Sequence, residues 1–288
     1  MLFRSLMEAL LDGQKGKEEI LALARQAELD ESRLRATVCV ELDFEINRYF
    51  NINLNLGYVS LRENLRTELL EKLRRNQYLN AQDFFAYYGD NHLVLSKSFF
   101  PETDSARIYL ALDKICQSIQ ADLMAFPLMD AHIAYGNLYA GLEQVGQSYA
   151  EATEILFLGK IQHPEVHFYT SHNILIDNIC HFLHPQIISK ILLPTLAKLN
   201  REGGKDLESL LRCGEVFVDC CMDCTAAAAR LYMHRNTLRT KLSKLEELTG
   251  LIFTQDFSNS LILKLLAVYA RQNHIFSASS QTGGEPDV

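Results

Sequence analysis

The chain has 288 residues, of which 48% are apolar and 22% charged, and its formal net charge is −8. That length suits about two domains, and so high an apolar content supplies packed cores and excludes a disordered chain. The acidic balance excludes a protein that coats nucleic acid or membrane with its whole surface, but it leaves room for a local basic patch.

The opening residues, MLFRSLMEALLDGQKGKEE, meet acids at Glu8 and Asp12 and hold no apolar stretch followed by a cleavage site, so no secretion signal is expected. No uncharged apolar run approaches the ~18 residues of a membrane span, and a cytoplasmic protein is expected. Apolar spacing predicts helix over 2–29, interrupted near Gly13–Gly16. A strand follows at Arg35–Leu42, then an amphipathic helix at Tyr58–Arg75. Asp83–Tyr88 and His92–Lys97 read as a hairpin around Gly89-Asp90-Asn91. Helices at Ala106–Ala121 and Leu142–Leu158 alternate with strands at Ala131–Tyr135 and Val166–Tyr169. That alternation predicts an α+β sheet domain.

From His172 onward the strands stop. Ile174–His184, Gln186–Leu199 and Asp206–Asp219 read as helices, with Pro185 and Pro194 marking starts or breaks and Gly203-Gly204 a loop. Ala226–Leu231, Arg235–Thr249 and Asn259–Arg271 complete an all-helical part, and SASSQTGGEPDV is a polar tail expected to be mobile.

The seven cysteines, at 39, 116, 180, 213, 220, 221 and 224, are too irregular for a disulfide framework. Cys221 and Cys224 form a C-x-x-C with Cys213 and Cys220 nearby. That could be a zinc site or a redox switch, but no second spaced pair completes a four-ligand zinc site, so small apolar side chains on helices and in a turn are expected. His163, His167, His172, His181 and His184 are scattered, and exposed or hydrogen-bonded histidines are expected. Neither a metal nor a cofactor is assigned.

The stretch AAAARLYMHRNTLRTKLSKLEELTG, residues 226–250, holds five Arg/Lys against two Glu. Wound at 3.6 residues per turn, Leu238, Leu242 and Leu245 form one stripe with Leu248 beside it. Asn236, Arg239, Thr240 and Ser243 point the opposite way, Thr237 and Lys244 lie at one edge, and Arg235 and Lys241 flank the stripe. A solvated helix favours acids first and bases last, to suit its dipole, and this one runs against that preference. A short alanine-rich helix precedes it. Helix, tight turn and basic helix is the helix-turn-helix arrangement, whose second helix enters the major groove. A solvated helix in a bundle is the competing reading of the pattern.

ARLYMHRNTLRTKLSKLEELTGL resembles the C-terminal helix-turn-helix of the PucR/CdaR family of bacterial regulators, through Tyr232-Met233, His234–Arg239 and Glu246–Gly250. The C-C-x-x-C stretch departs from that family's Asn/Ser-containing turn. The first domain, with YGDNHLVLS in its hairpin, resembles the family's GGDEF-like domain, and HIAYGNLYAGLEQVGQSYAEATEILFLG resembles its closing strand-loop-helix through Gly136, Gly141, Ser148, Tyr149, Ala152 and Gly159. Where diguanylate cyclases carry G-G-D-E-F, this chain has Tyr88-Gly89-Asp90-Asn91-His92. Tyr88 obstructs close approach of a nucleotide, and Asn91 removes an acidic metal ligand that such phosphoryl transfer needs. Glu41 and Asp43 are either remnants of the other metal-binding acids or simply solvated.

The resemblance implies a DNA-binding transcriptional regulator, most simply an activator of a catabolic operon, with no enzyme activity. A nucleotide-binding sensor, or an altered cyclase, is the alternative. The expected layout is a helical segment (1–34), a degenerate GGDEF-like domain (35–170), a helical linker (171–205), a helix-turn-helix domain (206–273) and a tail (274–288). A separate N-terminal effector domain, such as many relatives carry, is not expected within this sequence. DNA contacts are assigned to His234, Arg235, Asn236, Thr237, Arg239, Thr240, Ser243 and Lys244. The partners are double-stranded operator DNA, a second copy of the chain (homodimer or higher even oligomer) and an effector the sequence does not identify.

Overall fold

Alternation along Leu34–Phe44 makes the central strand of the first unit, β1. Ala36, Val38, Val40 and Leu42 point to one face of the sheet and Thr37 and Cys39 to the other. The computed structural model describes residues 2–13, 16–44, 55–124, 129–202 and 206–275. They divide into two units, Met1–Ile174 and Leu175–Val288. The tail from residue 276 and the Gly203-Gly204 loop lie outside the described residues.

In the first unit β2 (Phe84–Tyr88), β3 (His92–Phe99), β1, β4 (Met129–Tyr135) and β6 (Phe168–Tyr169) lie side by side in that order, and β5 (Tyr139–Ala140) pairs with the start of β1. All pairs are antiparallel except β4 with β6. On one face α3 (Asn55–Arg74) and α4 (Ser105–Leu123) bury Leu69, Leu73, Ile108, Leu112, Ile115 and Ile119 against β1 and β3. On the other, α5 (Val145–Gln162) packs Ala152, Ile155 and Leu156 around Cys39, Ala134 and Tyr169.

Segment 1–34, expected as separate, is part of this unit. Its helices α1 (Leu2–Asp12) and α2 (Lys17–Gln26) bury Leu6, Met7, Leu10 and Ala24 against Phe84, Ala86, Val94 and Val145. Periodicity identifies an apolar face, but not the sheet that receives it. β5 was not anticipated, because two residues carry no periodicity. β6 is shorter than the expected Val166–Tyr169, and α5 starts three residues later than expected and runs on to Gln162.

β4 and β5 both pair with β1 but leave Thr37 between them. Ser148 of α5 takes the vacated place. Its Oγ accepts from Thr37 N at 2.8 Å and donates to Asn137 O at 2.8 Å, while Gly136 N donates to Thr37 O at 3.0 Å. A Cβ on Gly136 would sit 1.9 Å from the Ser148 carbonyl oxygen, and one on Gly159 would sit 2.4 Å from the Tyr169 ring. The family-like glycines at 136 and 159 are therefore the points where α5 touches the sheet backbone and the β6 ring.

The second unit is helical: α6 (Leu175–His181), α7 (Pro185–Ile187), a π turn (Ile188–Leu192), α8 (Leu193–Glu202), α9 (Leu207–Asp219), α10 (Cys224–Arg230), α11 (Arg235–Thr249) and α12 (Phe257–Gln272). The expected single helix at Gln186–Leu199 is broken by the π turn. Pro194 has no N–H and its ring crowds the carbonyl four residues back; the wider turn ahead of it meets that demand. Pro185 opens α7, capped by His184 Nδ1, which accepts from Gln186 N at 3.2 Å.

The core joins Leu196 and Leu199 of α8, Leu210, Leu211 and Phe217 of α9, the α11 leucines, and Phe253, Leu263 and Leu266. A Cβ on Gly214 would meet Leu245 Cδ2 at 2.6 Å and Leu263 Cδ2 at 2.9 Å, so α9, α11 and α12 cross at a glycine. At the next residue, buried Glu215 accepts from Lys264 Nζ at 2.7 Å and from Arg271 Nη2 at 2.8 Å, and Lys264 also pairs with Asp219 at 2.8 Å. Burial alone would raise the Glu215 pKa, but Arg271 and Lys264 override it and hold the carboxyl below its ordinary 4.5. A lowered folded-state pKa adds stability above the unfolded value, and that stability is lost as pH falls through the folded one. Glu215→Gln is therefore expected to lower the urea-unfolding free energy by about 1–3 kcal/mol at neutral pH. The gap from wild type should narrow on acidification below 4.5. A gap that stays constant across that range would show that the carboxylate charge is not what stabilises the α9–α12 contact.

Candidate nucleic-acid interface

Asp223 sets the start of α10. Its Oδ1 accepts from Thr225 N at 2.7 Å and Ala226 N at 3.2 Å, and these backbone bonds hold its carboxyl below the usual range. Small side chains follow: Ala227 and Ala228 are buried, which lets α10 sit close to α9 and α11. The helix ends at Tyr232, whose φ is +52°. Tyr232 N donates to Ala229 O at 3.1 Å and Met233 N to Ala228 O at 3.0 Å, a left-handed helix stop that normally takes glycine or asparagine. Tyr232 is 98% exposed. The turn between α9 and α10 uses the same region, with Cys221 at φ +53° and Met222 at +63°. That is why an asparagine-bearing turn is at home where this chain has its C-C-x-x-C departure.

His234 caps α11, its Nδ1 accepting from Asn236 N at 3.2 Å. Leu238, Leu242 and Leu245 are buried at 0%, 3% and 0% exposure, and Leu248 packs beside them. All eight residues assigned to DNA from the sequence, His234, Arg235, Asn236, Thr237, Arg239, Thr240, Ser243 and Lys244, are exposed. Asn236, Arg239, Thr240 and Ser243 follow one another at i, i+3, i+4 and i+7, and so line one strip. No acid lies in the first turn of α11 and no base in the last. The N-terminal half therefore offers backbone N–H groups and cations to an anion. Lys241 is set apart: its Nζ donates to Ser209 Oγ at 3.0 Å and ties α11 to α9. Gly250, at φ +75°, ends the helix, and the Glu246 carboxylate accepts from Thr254 N at 2.9 Å and Oγ1 at 2.7 Å. One of the two acids that close the basic stretch is thus structural.

The cysteines of this region sit in different environments. Cys213 is buried on α9, which pushes its thiol pKa up, while Cys221 is exposed and Cys220 and Cys224 are half-buried. Among the described residues, no group of these thiols is arranged for a metal.

In the first unit the hairpin tip is tied down by arginines. Arg62 of α3 pairs with the Asp90 carboxylate at 3.2 Å, and Arg66 donates to Gly89 O at 3.2 Å. Asn91 O accepts from Leu42 N at 2.8 Å, and Tyr88 OH donates to Asp12 Oδ1 at 2.6 Å. The one acid at the tip thus faces a guanidinium, the opposite of what a Mg²⁺ site requires. Glu41 is half-buried and paired with Lys160 of α5 at 2.6 Å, so it is neither solvated nor free to bind a metal, whereas Asp43 is exposed.

Two family models match the chain, the GGDEF-like domain over residues 12–157 and the PucR C-terminal helix-turn-helix domain over residues 210–267. No curated protein matches it. Among solved structures, the regulator of polyketide synthase expression from Bifidobacterium adolescentis is 14% identical, with 94% of this chain and 98% of that one covered, at a TM-score of 0.32.

The ring of Tyr232 lies outside the core and its backbone is in a region that disfavours side chains. Tyr232→Gly is therefore expected to keep the unfolding free energy within about 1 kcal/mol of wild type, relief of strain offsetting the added chain entropy. A larger loss in urea titration would mean that the ring holds the turn.

Proposed function

We propose, from the premise that this chain belongs to the PucR/CdaR family of DNA-binding transcriptional regulators, that α11 is its reading helix and that its exposed strip contacts the operator. The observation that carries this is the division of α11: three leucines buried, and every polar residue from His234 to Thr240 exposed together with Ser243 and Lys244. Asn236 and Arg239 lie near the N-terminal end, where a major-groove helix reaches base edges, and each can make a bidentate base contact. Lys244, two turns beyond Asn236, meets phosphate. His234, Arg235, Thr237, Thr240 and Ser243 complete the contact set.

One helix reads one half-site, so the active form is a homodimer or a higher even oligomer on a pseudo-palindrome. Leu175, Ile179 and Phe182, at i, i+4 and i+7, are exposed together with Ile187 and Ile191. They offer an apolar stripe for the second copy. The family resemblance supports a catabolic operon as the regulated target. No described helix is long and apolar enough to cross a membrane, and the proposed DNA partner supports a cytoplasmic location. Residues 206–273 form the DNA-binding domain, and the helices expected as a linker pack onto its core through Leu192, Leu196 and Leu199. The GGDEF-like domain is not an enzyme. A groove beside its hairpin, lined by Arg4, Arg66, Arg74 and Tyr87, favours the second reading, a nucleotide sensor without catalysis.

Operator recovered by selection from genomic fragments tests the assignment. Asn236→Ala and Arg239→Ala should each lose about 1–3 kcal/mol of discrimination while sparing non-specific binding. Lys244→Ala should weaken both and reduce the salt slope by about one charge. All three stay folded, since none is on the leucine stripe, and sedimentation should give two chains per operator. Folded Asn236→Ala and Arg239→Ala proteins that keep full selectivity would remove α11 as the reader. Incubation with GTP or ATP and Mg²⁺ or Mn²⁺ should yield no cyclic dinucleotide; turnover abolished by Asp43→Ala or Asp90→Ala would reinstate the enzyme.

A further inference from the structure

The α5 side of the sheet carries a group that the sequence scatters over 37 residues. β1 and β4 pair with Asp43 opposite Asp130 and Glu41 opposite His132. The parallel pairing of β6 brings His167 alongside, its carbonyl accepting from Ile133 N at 2.8 Å. His167 Nδ1 lies 3.2 Å from Asp130 Oδ1, and His132 Nε2 lies 3.8 Å from Asp130 Oδ2. One ligand atom from each of the three residues falls within 4.8 Å of the others, the sole such group among the described residues.

The His132 ring is held as a metal-bound imidazole is held. Its Nδ1 lies 3.1 Å from the backbone carbonyl of Val166, which can only accept, and 3.2 Å from Tyr169 OH, so Nδ1 is engaged within the protein and Nε2 is the ring nitrogen turned toward Asp130. The ring is stacked against His167 at 5.2 Å and against Tyr169 at 5.7 Å, and its side chain is 7% exposed. His167 is more open, at 43% side-chain exposure, which leaves a route for an ion to enter.

We propose that Asp130, His132 and His167 form a binding site for a late first-row divalent cation, Zn²⁺ foremost. Two imidazoles and one carboxylate are a borderline donor set that suits zinc and its neighbours rather than Mg²⁺ or Ca²⁺. Three donors at this spacing have a common point within about 2.8 Å of each, so the ~2.0–2.2 Å bonds of zinc need movements below about 1 Å. The fourth position is left to water. Asp43 adds negative charge beside the site, whereas Lys160 neutralises Glu41. This site is separate from the hairpin tip of the degenerate signature and uses none of its residues.

Metal-stripped protein titrated with Zn²⁺ alone, then with Co²⁺, tests this. Wild type and the Cys221→Ser/Cys224→Ser variant should each take up one equivalent, give a Co²⁺ spectrum without a thiolate charge-transfer band, and melt at higher temperature with metal. His167→Ala, at an open position, should stay folded by circular dichroism and bind at least about 100-fold more weakly. Asp130→Asn is the second variant should the first not fold. Failure of wild type to take up either metal, undiminished binding in both site variants, or loss of the metal with the cysteines would each overturn the proposal.

Discussion

The outward face of α11 depends on Leu238, Leu242 and Leu245, which fix the helix against α9 and α12. Burial of each stabilises the unit by about 1.5–3 kcal/mol, and a helix with three such anchors on one stripe has no freedom to roll. Gly214 sets how close the anchor can come, since any side chain there would strike Leu245 and Leu263. With that face committed inward, Asn236, Arg239 and Ser243 are left on the surface by geometry alone, and the ends are set by His234, Gly250 and the Glu246–Thr254 bonds. The Glu215 cluster ties α9 to α12 at the same crossing, so the frame behind α11 is braced by charge as well as by packing.

Positions that would hold a metal at the hairpin are occupied by bonds within the protein: Asp90 to Arg62, Gly89 to Arg66, Tyr88 to Asp12 and Glu41 to Lys160. Each satisfies a polar group that would otherwise need a ligand or water. Across β1 the arrangement is reversed. Asp130, His132 and His167 face one another, with Asp130 3.2 Å from His167 and 3.8 Å from His132. Both groups flank the same end of β1, where Glu41 pairs with His92 on one side and with His132 on the other.

Much of this was legible in the sequence because it is local. The leucine spacing of α11 gave its buried face, the alternation of 35–42 gave β1, and Gly89-Asp90 gave the hairpin turn, since each depends only on helical or strand period. The exposure of all eight assigned residues follows from the same spacing. The sequence did not reveal that Lys241 is spent on Ser209 or that Glu246 holds Thr254, because those partners lie 32 and eight residues away.

By itself, then, the sequence determined the order of elements, the amphipathic faces, the basic helix and the lost acids of the signature. The tertiary structure alone decided which sheet receives α1 and α2, why Gly136 and Gly159 must be glycines, and that His132 and His167 share one carboxylate. The physical reason is range. A helix or strand pattern repeats every few residues and can be read in place, whereas strand pairing joins positions whose separation carries no periodic trace. Asp130 and His167 look unrelated along the chain, and only the parallel register of β4 with β6 makes them neighbours.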